Sequence, residues 1–136
     1  MQGLHLTDAF ARYKAKLKNP NWAVSAISDD GAVVISCWAH YFRSAREGAL
    51  LYVDSLSRWK GHNKAGNDLL REHLAEAFKE QLPVRLVIAH AAVPAAVEHG
   101  GDASKIKKTF SIKPELTGKV TKFDGDAFEI EFRRGT

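Results

Sequence analysis

The sequence predicts an α+β domain in which a mostly antiparallel sheet packs against one main amphipathic helix, with a further helix at the N-terminus. The strands are predicted from short apolar segments that are separated by turns containing glycine and aspartate. The main helix is predicted from positions 69–78, where apolar residues recur at helical spacing. Because no linker or internal repeat divides residues 1–136, we expect a single domain.

The first predicted helix begins after its N-cap, Thr7, and extends to about Lys18. Phe10, Tyr13 and Leu17 would form its apolar face. Its other faces carry basic residues that would either lie along phosphates or, in the simpler interpretation, be solvated: Arg12, Lys14, Lys16 and Lys18.

A β-hairpin is predicted next, with strands at residues 22–28 and 32–38 and a tight turn at Asp29-Asp30-Gly31. Both faces of its second strand are apolar, so the hairpin is expected near the centre of the sheet. The single cysteine, Cys37, lies in that strand and is expected to be an inert core residue. One cysteine forms neither a disulfide within the chain nor a cysteine zinc site.

The central unit is predicted as strand, polar loop, helix and strand. A polar connection, residues 39–48, leads to a strand at Leu50–Val53. After the loop, Asn67 is the predicted N-cap of the main helix, and Asp68 suits the positive end of its dipole. Pro83 ends the helix before a strand at residues 84–89.

The C-terminal third is predicted to add a short helix at residues 93–97, a strand at residues 109–112 and a final hairpin. The hairpin strands are residues 119–123 and 127–133, joined at Asp124-Gly125-Asp126. Its second strand alternates inward apolar residues with outward charged ones, the pattern of a sheet with one solvated face. The inward residues are Phe128, Ile130 and Phe132.

Composition narrows the function classes only slightly. Twenty Lys and Arg against sixteen Asp and Glu give a net charge of +4, which is compatible with a nucleic-acid partner. No apolar run reaches the roughly 20 residues that span a bilayer, so no membrane partner is expected. The N-terminal residues lack the layout of a secretory signal, and a cytoplasmic location is therefore expected.

Motifs for catalysis are weak in this sequence. The six histidines show no metal-ligand spacing, and there is neither a G-x-S-x-G elbow nor a phosphate-binding P-loop. An acidic residue two positions before a lysine, which one large class of metal-dependent nucleases needs, is also absent. We therefore predict no catalytic residue, metal ligand or cofactor. A small enzyme that uses His62 with Asp54 or Asp68 remains an alternative.

The polar loop at residues 57–64 is the strongest candidate binding site. Its basic side chains could neutralise phosphates, its asparagine could pair with a base edge or cap local backbone, and its tryptophan could stack on a base. The residues predicted to contact DNA are Arg58, Trp59, Lys60, His62, Asn63 and Lys64. In the alternative interpretation, Trp59 covers the start of the helix and the cations are solvated.

A second cluster of lysines could add phosphate contacts. It consists of Lys105, Lys107 and Lys108, which follow a pair of glycines in a short basic segment. A solvated run of charge is the simpler interpretation of these residues.

The central unit also resembles a known family. The chain has an apolar strand, then a loop with a tryptophan, a glycine and two asparagines, then an amphipathic helix and a valine-rich strand. Over about forty residues this order is similar to the N-terminal DNA-binding domain of McrA-type modification-dependent restriction endonucleases. The matching residues are Trp59, Gly61, Asn63, Lys64 and Asn67.

The resemblance implies recognition of duplex DNA that carries 5-methyl- or 5-hydroxymethylcytosine. The nuclease half of that family, with its cysteine-bound zinc and paired histidines, has no counterpart here. Cleavage would therefore need a nuclease partner or a fused nuclease domain, and a homodimer is compatible with this function. A protein-interaction module that docks through an exposed Trp38 and Trp59 is the alternative from a different class.

Overall fold

The computed structural model describes residues 5–19, 22–59, 63–92, 95 and 108–134, and only the backbone at positions 46 and 59. These residues form the predicted α+β fold, a mostly antiparallel sheet with one main helix and a shorter N-terminal one. The elements are α1 (Leu6–Ala11), β1 (Ser25–Ile27), β2 (Val33–Trp38), β3 (Phe42–Ser44), β4 (Leu50–Ser55), α2 (Lys64–Glu80), β5 (Val84–Ala91), β6 (Lys108–Ile112), β7 (Leu116–Phe123) and β8 (Ala127–Arg134).

All eight strands belong to one sheet, in the order β1-β2-β5-β7-β8-β4-β3, and β6 pairs with β5 beside this path. Only the pair of β2 and β5 is parallel among the described strands, because α2 carries the chain back before β5 begins. The sheet curls, so a 3₁₀ helix at Ala39–Tyr41 contacts both β4 and β5. The predicted mostly antiparallel sheet is therefore confirmed.

The first hairpin forms as predicted, with Gly31 at φ +85° in its turn. Its expected central position is wrong for β1, which lies at one end of the sheet. β2 does lie inside the sheet, and residues on both of its faces are buried. β1 is apolar because its residues are buried under α1 and α2, and not because it has a strand on each side.

The N-terminal helix is shorter than predicted. It ends at Ala11, and its N-cap is His5, not Thr7. Lys14 then adopts a left-handed conformation with φ +60°, which cannot continue a helix. Ala15 instead pairs with Ser28 in an isolated antiparallel bridge. The predicted extension to Lys18 is therefore wrong, because the chain gains more by burying alternate residues beside β1.

A short strand lies where a polar connection was predicted. β3 pairs with β4, and the centroids of the Phe42 and Tyr52 rings are 5.0 Å apart. Two 3₁₀ helices, Ala39–Tyr41 and Arg46–Gly48, flank it. Three residues with mostly exposed side chains carry too little periodicity to predict a strand.

The core consists of two clusters on opposite faces of the sheet. The larger cluster lies between the sheet and α2, and includes Leu70, Leu74 and Ala77 of the helix. The smaller cluster lies under α1, where Phe10 packs with Val34 and Val87. β2 and β5 contribute residues to both clusters because alternate side chains of a strand point to opposite faces.

Cys37 lies in the larger cluster and has no exposed surface, as predicted. Burial, with a contribution from the nearby Asp54 carboxylate, raises the pKa of its thiol well above the usual value. Trp38, the next residue, is half-buried against the smaller cluster. The alternative that required an exposed Trp38 therefore has only part of that ring available.

The main helix and the final hairpin follow the sequence closely. α2 ends at Glu80, where Gln81 takes a left-handed conformation before Pro83. The three apolar residues of β8 that were predicted to face inward, Phe128, Ile130 and Phe132, are all buried. The predicted helix at residues 93–97 falls outside the described residues, except for position 95.

None of the helices in the described part of the chain combines the length and the apolar composition that crossing a bilayer requires.

A partly buried hydrogen bond joins β1 to α2. The hydroxyl of Ser25, which is fully buried, lies 2.7 Å from Nδ1 of His73. Burial holds the pKa of His73 below its usual value of 6.5, although Glu76 and Glu72 oppose this effect; Lys18 lowers the pKa further. His73 thus packs at a helix-to-strand contact, the structural role that its place beside the apolar stripe indicates.

This contact predicts a pH-dependent stability. Because its pKa is lower in the folded state, His73 binds fewer protons there than in the unfolded chain, whose value is near 6.5. The free energy of unfolding should therefore decrease as the pH falls through 6.5 toward the folded-state pKa. Urea denaturation of the protein and of His73→Asn, which keeps an acceptor but does not titrate, measures the difference. Identical pH profiles for the two proteins would contradict this assignment.

Candidate functional site

The candidate site lies at the N-terminal end of α2, beside the carboxyl ends of β2 and β5. The opposite end of α2 leads through Pro83, whose carbonyl accepts from the Val33 amide at 2.9 Å, at the start of β2. The helix therefore begins near the other end of β2. The predicted binding loop connects β4 to this end of the helix.

Arg58 is held inside the site by a carboxylate. Its Nε and Nη2 donate to the two oxygens of Asp54 at 2.8 and 2.7 Å, a bidentate ion pair. The two side chains are 15% and 6% exposed. Burial opposes the charge of Arg58, but the Asp54 carboxylate raises the arginine pKa overall. The Arg58 guanidinium also lies 5.1 Å over the Tyr41 ring.

Asp54 is part of a hydrogen-bonded network that crosses the core. Its Oδ1 accepts from the Ser55 amide at 2.8 Å, and its Oδ2 accepts from the Tyr52 hydroxyl at 3.3 Å. The same hydroxyl accepts from the Trp38 amide at 3.0 Å, which links β4 to the end of β2. Burial, with a further effect of Asp54, raises the pKa of Tyr52 well above its usual value, so the hydroxyl stays protonated.

Asn63 is the N-cap of α2, and the prediction that Asn67 caps this helix is wrong. The Asn63 side-chain oxygen accepts from the Gly66 amide at 3.1 Å. Its side-chain nitrogen donates to the Trp22 carbonyl at 2.8 Å, which anchors the helix start to the segment before β1. The residue adopts φ +51°, a left-handed conformation that asparagine tolerates better than most residues. Both ends of the Asn63 amide are thus engaged within the protein.

Gly66 fits a place where no side chain can enter. A Cβ atom at this position would come closer than 3.0 Å to both the Trp22 carbonyl oxygen and the Asn63 side chain. The glycine therefore permits the close approach on which the bond between Asn63 and Trp22 depends.

Asn67 is a buried connector in the first turns of α2. Its side-chain nitrogen donates to the Leu56 carbonyl at 2.9 Å, and its oxygen accepts from Arg71 at 3.1 Å. Arg71 also donates to the Gly125 carbonyl at 3.1 Å, in the turn between β7 and β8. Asn67 does not cap the helix. The position holds an amide because its buried side chain both donates to Leu56 and accepts from Arg71.

Lys64 is the most accessible of the predicted contact residues that the structure describes. Its side chain is 82% exposed, and its ammonium lies 2.6 Å from the Asp68 carboxylate one turn along α2. Exposed pairs at this spacing contribute only about 0.3–0.5 kcal/mol. Lys64 could therefore exchange Asp68 for a phosphate at small cost.

The structure brings some predicted contact residues together and does not describe others. Asn63 and Lys64 begin α2, and Arg58 lies in a 3₁₀ helix, Leu56–Trp59, that contacts α2. Lys108 begins β6 and pairs with Ala91, two residues beyond the Ala89 that pairs with Trp38. The remaining predicted contacts fall outside the described residues or lack a described side chain: Trp59, Lys60, His62, Lys105 and Lys107.

The structural roles of two acidic residues, Asp54 and Asp126, were not predicted from the sequence. Asp126 accepts from the Ser57 amide at 2.7 Å through its side chain, and its carbonyl accepts from the Leu56 amide at 3.0 Å. This turn therefore holds the segment that precedes the loop. The four-residue spacing of Asp54 and Arg58 was the available signal for their ion pair, whereas nothing local to the turn indicates its partner.

Within the described ranges, no three histidine, cysteine or acidic side chains come together as a group that could hold a metal ion. Comparison with known proteins found no matching family model, and no curated protein or solved structure with significant similarity to this chain. The relation to McrA-type domains therefore remains a prediction from the sequence.

The pair of Arg58 with Asp54 is buried and the pair of Lys64 with Asp68 is exposed, so removing them should lower stability by different amounts. Arg58→Ala leaves the Asp54 carboxylate buried without its partner and should lower the free energy of unfolding by about 3 kcal/mol or more. Lys64→Ala removes an exposed pair and should cost about 0.5 kcal/mol or less. Urea denaturation of the two variants provides the comparison. Equal, small losses would show that Arg58 is not needed to compensate Asp54.

The two bonds of Asn63 can be separated by substitution. Asn63→Asp keeps the cap acceptor but loses the donor to Trp22, whereas Asn63→Ala loses both. We expect the Ala variant to lose about 1–2 kcal/mol for the cap, plus the contribution of the second bond. The Asp variant should lose less. Unfolding midpoints in urea measure both, and an Ala variant as stable as the native protein would contradict the anchoring role.

Proposed function

We propose that this chain is a duplex-DNA-binding domain that recognises 5-methyl- or 5-hydroxymethylcytosine and has no hydrolytic centre of its own. The main support is the anchoring of the loop between Arg58 and Asn63 at both of its ends. Asp54 holds one end and the Trp22 carbonyl holds the other, beside the carboxyl ends of the parallel strands. Rigidly supported loops of this kind commonly carry recognition residues.

The anchoring divides the predicted contact residues into two groups. Arg58 and Asn63 use their polar atoms within the protein, so they are assigned to positioning the loop. The exposed Lys64 is assigned, with Lys60, to phosphates, while Trp59 and His62 would face the base. Lys105, Lys107 and Lys108 would contribute to a second set of phosphate contacts.

The resemblance to McrA-type domains supports the choice of ligand. Two of the matching residues, Asn63 and Asn67, hold the helix start in place, as a shared loop architecture would require. A fused or partner nuclease would supply cleavage, and the cytoplasm would be the location. A protein-interaction module is the alternative if DNA is not bound.

Recognition of the modification predicts a modest preference. A 5-methyl group lies in the major groove and offers an apolar contact worth about 0.8 kcal/mol when buried. We therefore expect about fourfold tighter binding per modified cytosine, and about tenfold or more for a symmetrically modified site. Competition between modified and unmodified duplexes of one sequence, at fixed salt, measures this ratio. Equal affinities would leave a general DNA-binding domain, and no binding to either duplex would favour the protein-interaction alternative.

A matched pair of variants tests the role of the loop. Lys64→Gln should weaken binding to both duplexes equally, because a contact to a phosphate does not depend on the cytosine modification. It should also reduce the slope of log affinity against log salt by about one unit. Lys79→Gln, on an exposed residue near the far end of α2, is the control with the same change in charge. Equal effects of the two substitutions would remove Lys64 from the interface.

A further inference from the structure

The segment that follows α1 presents three lysines on one side. Burial alternates along it: Ala15 and Leu17 are buried, whereas Lys14, Lys16 and Lys18 are exposed. The alternation begins where Lys14, in a left-handed conformation, ends the helical turn. Successive lysines of the segment are two residues apart, so their Cα atoms are separated by at most about 7 Å. We name these three residues the lysine strip.

Packing holds the strip in place. Ala15 pairs with Ser28, and the Lys14 carbonyl accepts from the Asp29 amide at 3.0 Å, so the segment lies beside β1. Ala15 and Leu17 bury their side chains in the smaller core cluster. The lysines therefore project from an ordered backbone instead of a flexible tail.

Within the described residues, the lysines of the strip form no ion pair. No ion pair joins Lys14, Lys16 or Lys18 to any carboxylate of the described residues, whereas Lys64 and Arg58 are both paired. Asp29 and Asp30 lie in the turn near one end of the strip, and Glu72 and Glu76 lie on α2 near the other, around His73. Asp30 is engaged by the Ser28 hydroxyl.

The strip is continuous with the candidate site. Asn19, the residue after Lys18, accepts from the amides of Trp22 and Ala23 at 3.2 and 2.8 Å. Trp22 in turn holds Asn63 at the start of α2. A ligand that lies across Lys64 could thus extend along the edge of the sheet onto the strip.

We propose that the lysine strip is a second DNA-binding surface, which contacts phosphates of one strand. This inference rests on the proposed DNA binding but not on recognition of the modification. The strip extends at most about 14 Å, which corresponds to about four base-pair steps at 3.4 Å each. Neighbouring cations without other recognition groups suit a ligand whose charge repeats along its length.

A membrane surface is the less suitable partner. Stable peripheral binding to anionic lipid commonly combines basic side chains with apolar ones that enter the interface. The apolar residues of this segment, Ala15 and Leu17, instead point into the core and are each 5% exposed. The strip therefore offers charge alone, which favours a phosphate backbone in water.

The test compares two triple variants with the same loss of charge. Lys14→Gln, Lys16→Gln and Lys18→Gln are combined in one protein. The control combines Lys79→Gln, Lys119→Gln and Lys122→Gln, whose lysines are exposed and lie on α2 and β7. Binding to a short duplex, with and without 5-methylcytosine, is measured across a range of salt concentrations. Vesicles of phosphatidylcholine with phosphatidylserine form a separate arm.

We expect the strip variant to bind both duplexes about tenfold more weakly at low salt, and its salt slope to fall by about 2–3 units. The control should change far less, and the ratio between modified and unmodified DNA should stay as in the native protein. A strip variant that matches the control would overturn this inference and leave the loop proposal intact. Absence of DNA binding by the native protein, or binding of vesicles in its place, would overturn both.

Equal affinity of the native protein for the two duplexes, together with weaker binding by the strip variant, would support the strip and reject only the recognition of modified cytosine. Circular dichroism melting of both variants confirms that each remains folded. Exposed lysine substitutions usually change stability by less than about 0.5 kcal/mol, so loss of binding cannot be attributed to unfolding if the melting temperatures agree.

Discussion

The candidate site depends on one side-chain amide that bonds in two directions. Asn63 caps α2 through its oxygen and holds the Trp22 carbonyl through its nitrogen. The first bond sets where the helix begins, and the second sets where that beginning lies relative to β1. Gly66 is required for both, because any side chain there would occupy the space between Asn63 and Trp22. Asn67, which bonds to Leu56 and Arg71, and the exposed Lys64 lie on the helix turns that this placement fixes.

The charges of the site are arranged by burial. Asp54 and Arg58 lie inward, where a lone ion would be costly, and they compensate each other with good geometry. Lys64, Asp68 and Arg71 lie outward on the first turns of α2, where water screens them and partners exchange readily. The inner pair therefore holds the chain just before the loop, and the outer residues are exposed. Residue type alone would have given Arg58 and Lys64 the same role.

The elements with a strong local pattern could be predicted from the sequence, and those that depend on distant partners could not. α2 and β8 show clear periodicity, and both form as expected. The start of α2 was misplaced because Asn63 caps it from a left-handed conformation and is held by a residue forty-one positions away. The parallel pairing of β2 with β5 likewise depends on residues that are far apart in the sequence. In the site, the exposure of Lys64 follows from its place on a helix surface. The pairing of Arg58 with Asp54 is local, whereas its contact with Tyr41 depends on the tertiary fold.

Because the single cysteine is buried, its reaction with a thiol reagent reports on fluctuations of the structure. Cys37 faces the cluster between the sheet and α2, and its thiol is both inaccessible and held in the protonated form. A thiol reagent can therefore react only while β2 and α2 are transiently apart. The rate of labelling under native conditions would measure how often the sheet and the main helix separate. A ligand that clamps the start of α2 would slow that rate without touching the cysteine.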